Sequence, residues 1–316
     1  MPLIDAPTIT ELLPYGALID ALEDGHRRPA AVAERVVFGP DGSDQSFLGL
    51  VAWQPGDAIG VKLVTVFPGN VAAGRPSVQA VVVLFDGTTG APLALLDGTE
   101  LTYRKTAADS ALGARHLARP DAMTLLMVGA GALAAHLVAA HRCVRPSIER
   151  VLVWNRTRSR ADALATELSA GGVDATVVDD LAAAVATADI VSTATMTKEP
   201  LVAGDWLRPG THLDLVGAFL PDHREVDDDA VLRADIYVDD RLATLTEDGD
   251  LVIPLRAGLI AAGDVVADLY ELCRGDAPGR RPDDTDTITL FENGGGGHLD
   301  LMTAAFAWRR YGARSP

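Results

Sequence analysis

The chain has 316 residues, 48% apolar and 22% charged, enough for two hydrophobic cores because single cores stop growing at about 250–300 residues. Its net charge of −17 would repel a phosphate backbone or an anionic bilayer, which argues against nucleic acid or lipid surfaces as partners. No apolar run reaches about 18 residues, and the start MPLIDAPTIT lacks the basic and apolar regions of a secretory signal, so a cytoplasmic protein without a membrane span is expected.

Taken in order, the first element is a helix over 11–24. Short β-branched runs at 35–38, 46–53, 58–67, 78–85 and 91–96 follow. Turn signals separate them, such as Pro40-Asp41-Gly42, Asp86-Gly87 and Asp97-Gly98. A helix over 102–118 closes what reads as a mostly antiparallel sheet. From Met123 the texture changes to strand–helix alternation: 125–128 then 133–142, 150–154 then 159–170, 175–178 then 181–188. Further strands are expected at 189–193, 210–216 and 236–238. The prediction is therefore an α/β protein: a Rossmann doubly wound parallel sheet beside an α+β domain. The last segment, 288–308, reads as a short strand or turn and a helix that returns to the first domain.

Cys143 and Cys273 are far apart and lack metal-ligand spacing, so they read as reduced structural thiols. The histidines, including His212, His223 and His298, also lack metal spacing, and no metal is expected. Ser110 and Ser192 have no His/Asp arrangement in sequence that suggests a nucleophile. Lysine occurs only at Lys62, Lys105 and Lys198, while arginine supplies the other positive charge.

Gly129-Ala130-Gly131-Ala132-Leu133-Ala134 fits G-x-G-x-x-G/A between a predicted strand and helix. The first glycine allows a tight turn, the second lets the backbone approach a pyrophosphate, and the small third residue lets the helix pack closely. The helix N–H groups and macrodipole then face phosphate. About 20 residues further on, an NAD site usually offers an acid to the ribose hydroxyls. This chain offers Asn155, Arg156, Thr157, Arg158 and Arg160 instead. Guanidinium groups suit a 2′-phosphate, so NADP(H) is favoured and NAD(H) remains possible.

Lys62 interrupts an apolar strand, where a lysine is costly unless an anion meets it. Arg104 and Lys105 stand near the start of an alanine-rich helix, where cations oppose the dipole unless an anionic ligand or partner lies close.

Gly60-Val61-Lys62, Pro68-Gly69-Asn70, Gly74-Arg75-Pro76-Ser77, Asp86 to Pro92, Leu101 to Ala108 and GTHLDLVGAFLPDHREVD together resemble the ornithine cyclodeaminase/mu-crystallin family over nearly the whole chain. The resemblance implies a substrate-binding and dimerisation domain over 1–118 and 302–316, a Rossmann domain over 119–301, and a homodimer. It also implies the roles of particular residues. Lys62 matches the pocket lysine, Ser77 a hydroxyl that helps hold the substrate carboxylate, and Arg35 the arginine that pairs with it. Lys105, with Arg104 beside it, falls where the family usually has arginine. Thr193, Ala194 and Thr195 match a loop along the cofactor, and Val216 and Gly217 its nicotinamide side. The glycine-rich FENGGGGHLDL matches the approach to the closing helix, with Asp300 near the nicotinamide pocket.

One departure bears on the chemistry. Where cyclodeaminases carry an aspartate after Val-Gly, this chain has Phe219, which cannot take up a proton or pair with an ammonium. Asp214 and Asp222 lie nearby in sequence but not at the matching place. VGAFLPDHREVD is similar to the ketimine reductase branch, which implies NAD(P)H-dependent reduction of a cyclic ketimine acid such as Δ1-pyrroline-2-carboxylate to L-proline. Lys62, or a water it orders, would be the proton donor and therefore the catalytic residue. Two other readings follow from the resemblance: an ornithine cyclodeaminase that releases ammonia, and a mu-crystallin-like ligand-binding protein without turnover.

Overall fold

The computed structural model describes residues 1–42 and 45–314 and divides the chain into two compact units: Met1–Thr106 with Gly295–Pro316, and Ala107–Gly294. The division runs through a helix near residue 106, before the end of the helix expected at 118. Ser315 and Pro316, which close the expected first domain, lie outside the described residues.

The first unit begins with β1 (Leu3–Ile4), α1 (Ala6–Leu12) and α2 (Tyr15–His26). Then come β2 (Val32–Phe38), β3 (Ser46–Gln54), β4 (Ala58–Val66), β5 (Val78–Asp86), β6 (Pro92–Asp97) and the start of α3 (Gly98–Leu117). The single helix expected over 11–24 is two helices, because Pro14 has no N–H to donate and α1 closes at Leu13, whose N–H bonds Ile9 O at 3.0 Å. Nor is Asp97-Gly98 a turn between strands. Asp97 Oδ1 accepts the Glu100 N–H at 2.8 Å, so α3 starts one turn earlier than expected. The sheet order is β1-β6-β5-β4-β3-β2, antiparallel except for β1 against β6.

The second unit holds β7 (Thr124–Val128), α4 (Ala134–Val144), β8 (Arg150–Trp154), α5 (Arg158–Ala170), β9 (Asp174–Val177), α6 (Leu181–Val185) and β10 (Ile190–Thr193). It continues through β11 (His212–Leu215), α7 (Asp228–Arg233), β12 (Ala234–Val238), α8 (Arg241–Glu247) and α9 (Gly249–Arg256). β13 (Val265–Asp268), α10 (Leu269–Arg274) and β14 (Ile288–Glu292) complete it, and α11 (Gly297–Gly312) belongs to the first unit. The strands form one parallel sheet of eight in the order β13-β12-β14-β11-β10-β7-β8-β9. β7, β10 and β11 are buried along their whole length, as strands covered on both faces must be. The order reverses beside β7, whose two neighbours are β8 and β10, so the crevice at its C-terminal end is the place for a ligand. The doubly wound sheet and the separate, mostly antiparallel sheet are the fold expected from the sequence pattern.

Candidate active site

The glycine turn leaves β7 at that crevice. Gly129 has φ +110°, and a Cβ there would stand 2.7 Å from the Ala194 carbonyl oxygen, so only glycine fits. Its N–H bonds Trp154 O at 2.9 Å, while Gly131 faces open space. Ala134 is fully buried, which sets α4 close on the sheet. A cavity of about 300 Å³ opens above the turn, against Gly129, Ala130 and Gly131. Asn155, Arg156, Thr157 and Arg160 bound it on the β8 side, and Ala194 and Thr195 on the β10 side. Ala132 lines an adjoining cavity of about 450 Å³ shared with Arg160, and Leu133 is the N-cap residue of α4.

Asn155 braces the two loops: Oδ1 accepts from Ala130 N–H at 3.1 Å, and Nδ2 donates to Thr157 O at 2.9 Å. Arg158 pairs with Asp162 and Asp179 on the surface. Arg156 and Arg160 are exposed and, among the described residues, meet no carboxylate. Thr193, Val216 and Gly217 do not line the cavity. Their polar groups point instead to the buried Glu225.

In the first unit, Lys62 sits on β4 with 5% of its surface exposed. Its Nζ lies 3.0 Å from Asp300 Oδ1, 2.9 Å from Oδ2, and 3.5 Å from Thr102 Oγ1. Burial pulls the ammonium below the ordinary lysine value, Asp300 opposes the shift, and the charges of Lys105 and Arg35 add to it. Arg35 faces Lys62 across Leu50, on the same side of the sheet. Lys105, 2% exposed, donates to the Gly295 carbonyl in the loop that leads into α11. Lys105 and Arg35 thus add positive charge beside the Lys62–Asp300 pair.

Two expected partners stand apart from this group. Arg104 is committed to Glu100 at 2.6 Å, to Leu13 O at 2.8 Å, and to the Tyr15 ring at 5.3 Å. Ser77 precedes β5 by one residue, whereas Val82 is the β5 residue opposite Lys62. That offset of five residues is about 17 Å along a strand. Sequence reasoning left out Thr102 and His26, and weighed His298 only as a metal ligand. His298 follows the glycine run, and its ring meets His26 edge-on at 5.7 Å. Burial first, then His26 and Lys105, hold His298 well below the usual histidine range.

Ser192 lies in a buried array with Asp214 and His141. Its Oγ donates to Asp214 Oδ2 at 2.6 Å, and His141 Nε2 lies 2.9 Å from the same oxygen. The aspartate is the bridging member and all three are fully buried, so the array braces β10 against β11 and α4 and offers no nucleophile. Asp222 pairs with Lys198 and His223 on the surface. Phe219, 41% exposed, stacks on His223. None of these acids occupies the place that Phe219 holds. Among the described residues no group of three or more His, Cys, Asp or Glu could hold a metal ion.

A doubly wound sheet with a glycine-only turn and an open cavity at its switch point defines a dinucleotide-binding protein of the Rossmann class. The pattern of the ornithine cyclodeaminase/mu-crystallin family matches residues 10–311, and the chain belongs to that family. It is 46% identical over 300 residues to a Delta(1)-pyrroline-2-carboxylate reductase of Paracoccus denitrificans, covering 95% of this chain and 94% of the relative. The solved Thermococcus litoralis Delta(1)-pyrroline-2-carboxylate reductase, in complex with NADH and L-proline, superposes with a TM-score of 0.93 at 32% identity, covering 99% of this chain and 98% of that one. An archaeal alanine dehydrogenase dimer with bound NAD superposes with a TM-score of 0.90 at 26% identity, covering 99% and 97%.

Proposed function

We propose that the protein is an oxidoreductase that reduces the C=N bond of a small cyclic ketimine carboxylate, Δ1-pyrroline-2-carboxylate to L-proline in type, with a reduced nicotinamide dinucleotide. The observation that carries this reading is the buried Lys62–Asp300 pair among Lys105 and Arg35. The 46% identity to a reductase of that substrate supports it. Arg35 and Lys105 hold the carboxylate. Arg104 and Ser77, with other partners or at a distance, do not join them. Bound in its reduced form, the dinucleotide supplies the hydride that adds to the imine carbon. Lys62 donates a proton to the imine nitrogen, which makes the carbon electrophilic and lets the C=N electron pair settle on nitrogen as the amine forms. Burial makes that proton easier to give up, and Asp300 keeps the amine charged until substrate arrives.

Arg156 and Arg160 fit a 2′-phosphate, so NADPH is the preferred donor, with NADH used less well. The turn amides of Gly131 to Leu133 would hold the pyrophosphate, since the Ala130 N–H is taken by Asn155, and Thr193 to Thr195 with Val216 and Gly217 would shape the nicotinamide side. Cys143 and Cys273 are not joined in a disulfide, which suits a cytoplasmic protein.

The working form is a homodimer. The β2–β3 face opposite Lys62 carries Val32, Val36, Phe38, Phe47, Val51 and Trp53, each 36–66% exposed. In register they form cross-strand pairs, Val32 with Trp53 and Phe38 with Phe47, and this largely apolar face on a sheet edge, interrupted by Glu34 opposite Val51, needs cover.

Oxidation of NADPH and NADH at 340 nm, with five- and six-membered cyclic imines made in situ from D-amino acids, tests the reading. Turnover with imine is the expected result. Ammonia from ornithine would favour a cyclodeaminase, a reaction that Phe219 disfavours. Dinucleotide binding without turnover on any imine would leave a ligand-binding protein.

A further inference from the structure

Glu225 is fully buried, and its two oxygens accept five hydrogen bonds. Oε1 takes the N–H and hydroxyl of Thr195, both at 2.6 Å. Oε2 takes the Thr193 hydroxyl at 2.7 Å, the Gly217 N–H at 2.6 Å and the Val216 N–H at 3.3 Å. One carboxylate therefore ties the loops after β10 and β11 together. The loops are pressed close: a Cβ on Gly217 would collide with the backbone of Thr195 and stand 2.6 Å from Glu225 Oε1. Thr195 lines the dinucleotide cavity, so the clasp sets one of its walls.

Three backbone N–H groups, which can only donate, and two threonine hydroxyls hold Glu225 as a carboxylate against burial, which pushes its value up. The groups beneath it cannot all share that state. Asp250, in the first turn of α9, accepts the N–H groups of Glu225 and Val226 on Oδ1 at 2.8 and 3.0 Å, while its buried Oδ2 has no partner. Glu292 at the end of β14 has a buried Oε2 without a partner. Asp239 after β12 and Asp248 before α9 are also buried, and Arg224 is a cation that acts on Asp250. Burial first, then the Glu225 charge, pushes Asp250 up to about 8. Burial and the surrounding Asp250, Asp248, Glu225 and Asp239 raise Glu292 well above the carboxylate range.

We propose that Glu225 is the positioning residue that fixes Thr195 and Gly217 against the bound dinucleotide, and that a protonated Asp250 beneath it keeps this clasp closed. The inference rests on the dinucleotide reading above and adds to it a residue that touches neither substrate nor cofactor. When Asp250 loses its proton, a second negative charge appears behind Glu225, and Arg224, the cation acting on Asp250, is already paired with Asp228. The two acids repel, the clasp loosens and the dinucleotide is held less well. The sign follows from the raised value: closed below about pH 8, opening above it.

The test is NADPH binding without substrate, read by quenching of protein fluorescence from pH 7 to 9.5, with far-UV circular dichroism at each pH. In the unmodified protein Kd rises about tenfold or more across that range while the circular dichroism stays constant. Asp250→Asn, which keeps the Oδ1 acceptor and cannot ionise, brings the ratio of Kd at pH 9.5 to Kd at pH 7 close to one. If that variant does not fold, Glu225→Gln answers the same question, with Kd at pH 7 raised about tenfold and the same flat ratio. Binding at pH 7 with no alkaline loss, or an alkaline loss that survives both substitutions, overturns the clasp alone. Absence of NADPH and NADH binding at pH 7 overturns the dinucleotide reading and the clasp with it.

Discussion

Lys62 and Asp300 are 238 residues apart in the chain, yet the ammonium nitrogen lies within 3.0 Å of both carboxylate oxygens. The pair is 6% and 4% exposed, which makes it a held charge and not a surface ion pair. Lys62→Met is expected to lower kcat by about 10²- to 10⁴-fold at saturating dinucleotide, the usual range for loss of a general acid. Dinucleotide affinity should stay within about twofold of the unmodified protein, because the cavity over the glycine turn lies in the other unit. Asp300→Asn removes the charge that raises the Lys62 value, so the alkaline fall of kcat moves to lower pH. Steady-state kinetics across pH would show it. Normal turnover in Lys62→Met removes the lysine from the chemistry.

On the proposed reading, Arg156 and Arg160 distinguish NADPH from NADH. Replacing both with alanine should raise KM for NADPH by about 10- to 100-fold, since charge-assisted hydrogen bonds contribute about 1.5–3 kcal/mol. KM for NADH should change less than about threefold. Equal losses with both donors would place the arginines away from the 2′-phosphate.

Acid stability is written into His212. Burial, opposed by Asp214, holds the buried imidazole at about 3, and its Nδ1 lies 2.9 Å from Thr289 Oγ1. The folded value is below the 6.5 of the free side chain, so the unfolded chain takes up the proton first. Stability from this group is complete above about pH 6.5 and is lost as pH falls toward 3. Between pH 7 and 4.5 the loss is about 2–3 kcal/mol. Urea unfolding at those two pH values should give a difference smaller by that amount in His212→Gln. An unchanged difference would mean that His212 is already protonated in the folded protein.

The exposed β2–β3 face makes a prediction about assembly. Val36→Asp or Trp53→Asp should convert the proposed homodimer to a single 33.2 kDa chain in sedimentation velocity, with the circular dichroism preserved. A dimer that survives both substitutions places the contact elsewhere.

The second unit was more legible in the sequence than the first, for a physical reason. Parallel strands buried on both faces are continuous apolar runs, and glycine–helix signals punctuate them, as at Val128 to Ala134. The signals that misled were local ones with two meanings. Asp97-Gly98 reads as a turn but caps a helix, and Pro14 divides a periodic pattern that otherwise reads as one helix. β13 carries little signal because Val265–Asp268 is short and alternates buried and exposed residues at the sheet edge. At the site, Lys62 and the glycine turn announced themselves by breaking their surroundings, a charge in an apolar strand and a gap before a helix. Glu225 gave no such sign, since Arg224-Glu225 beside Asp227-Asp228-Asp229 reads as one more solvated charge run. Its burial depends on loops that only the folded sheet brings together.

β14, Ile288–Glu292, lies between β11 and β12 in the middle of the large sheet, and α11 after it places Leu301 against Gly60 of the small one. Each unit therefore waits for the end of the chain. On the ribosome, everything before residue 288 must persist with two open strand edges and an uncovered sheet face, the surfaces most prone to wrong pairing. Shortening the C-terminus should thus cost solubility during synthesis well before it costs any residue of the reaction centre.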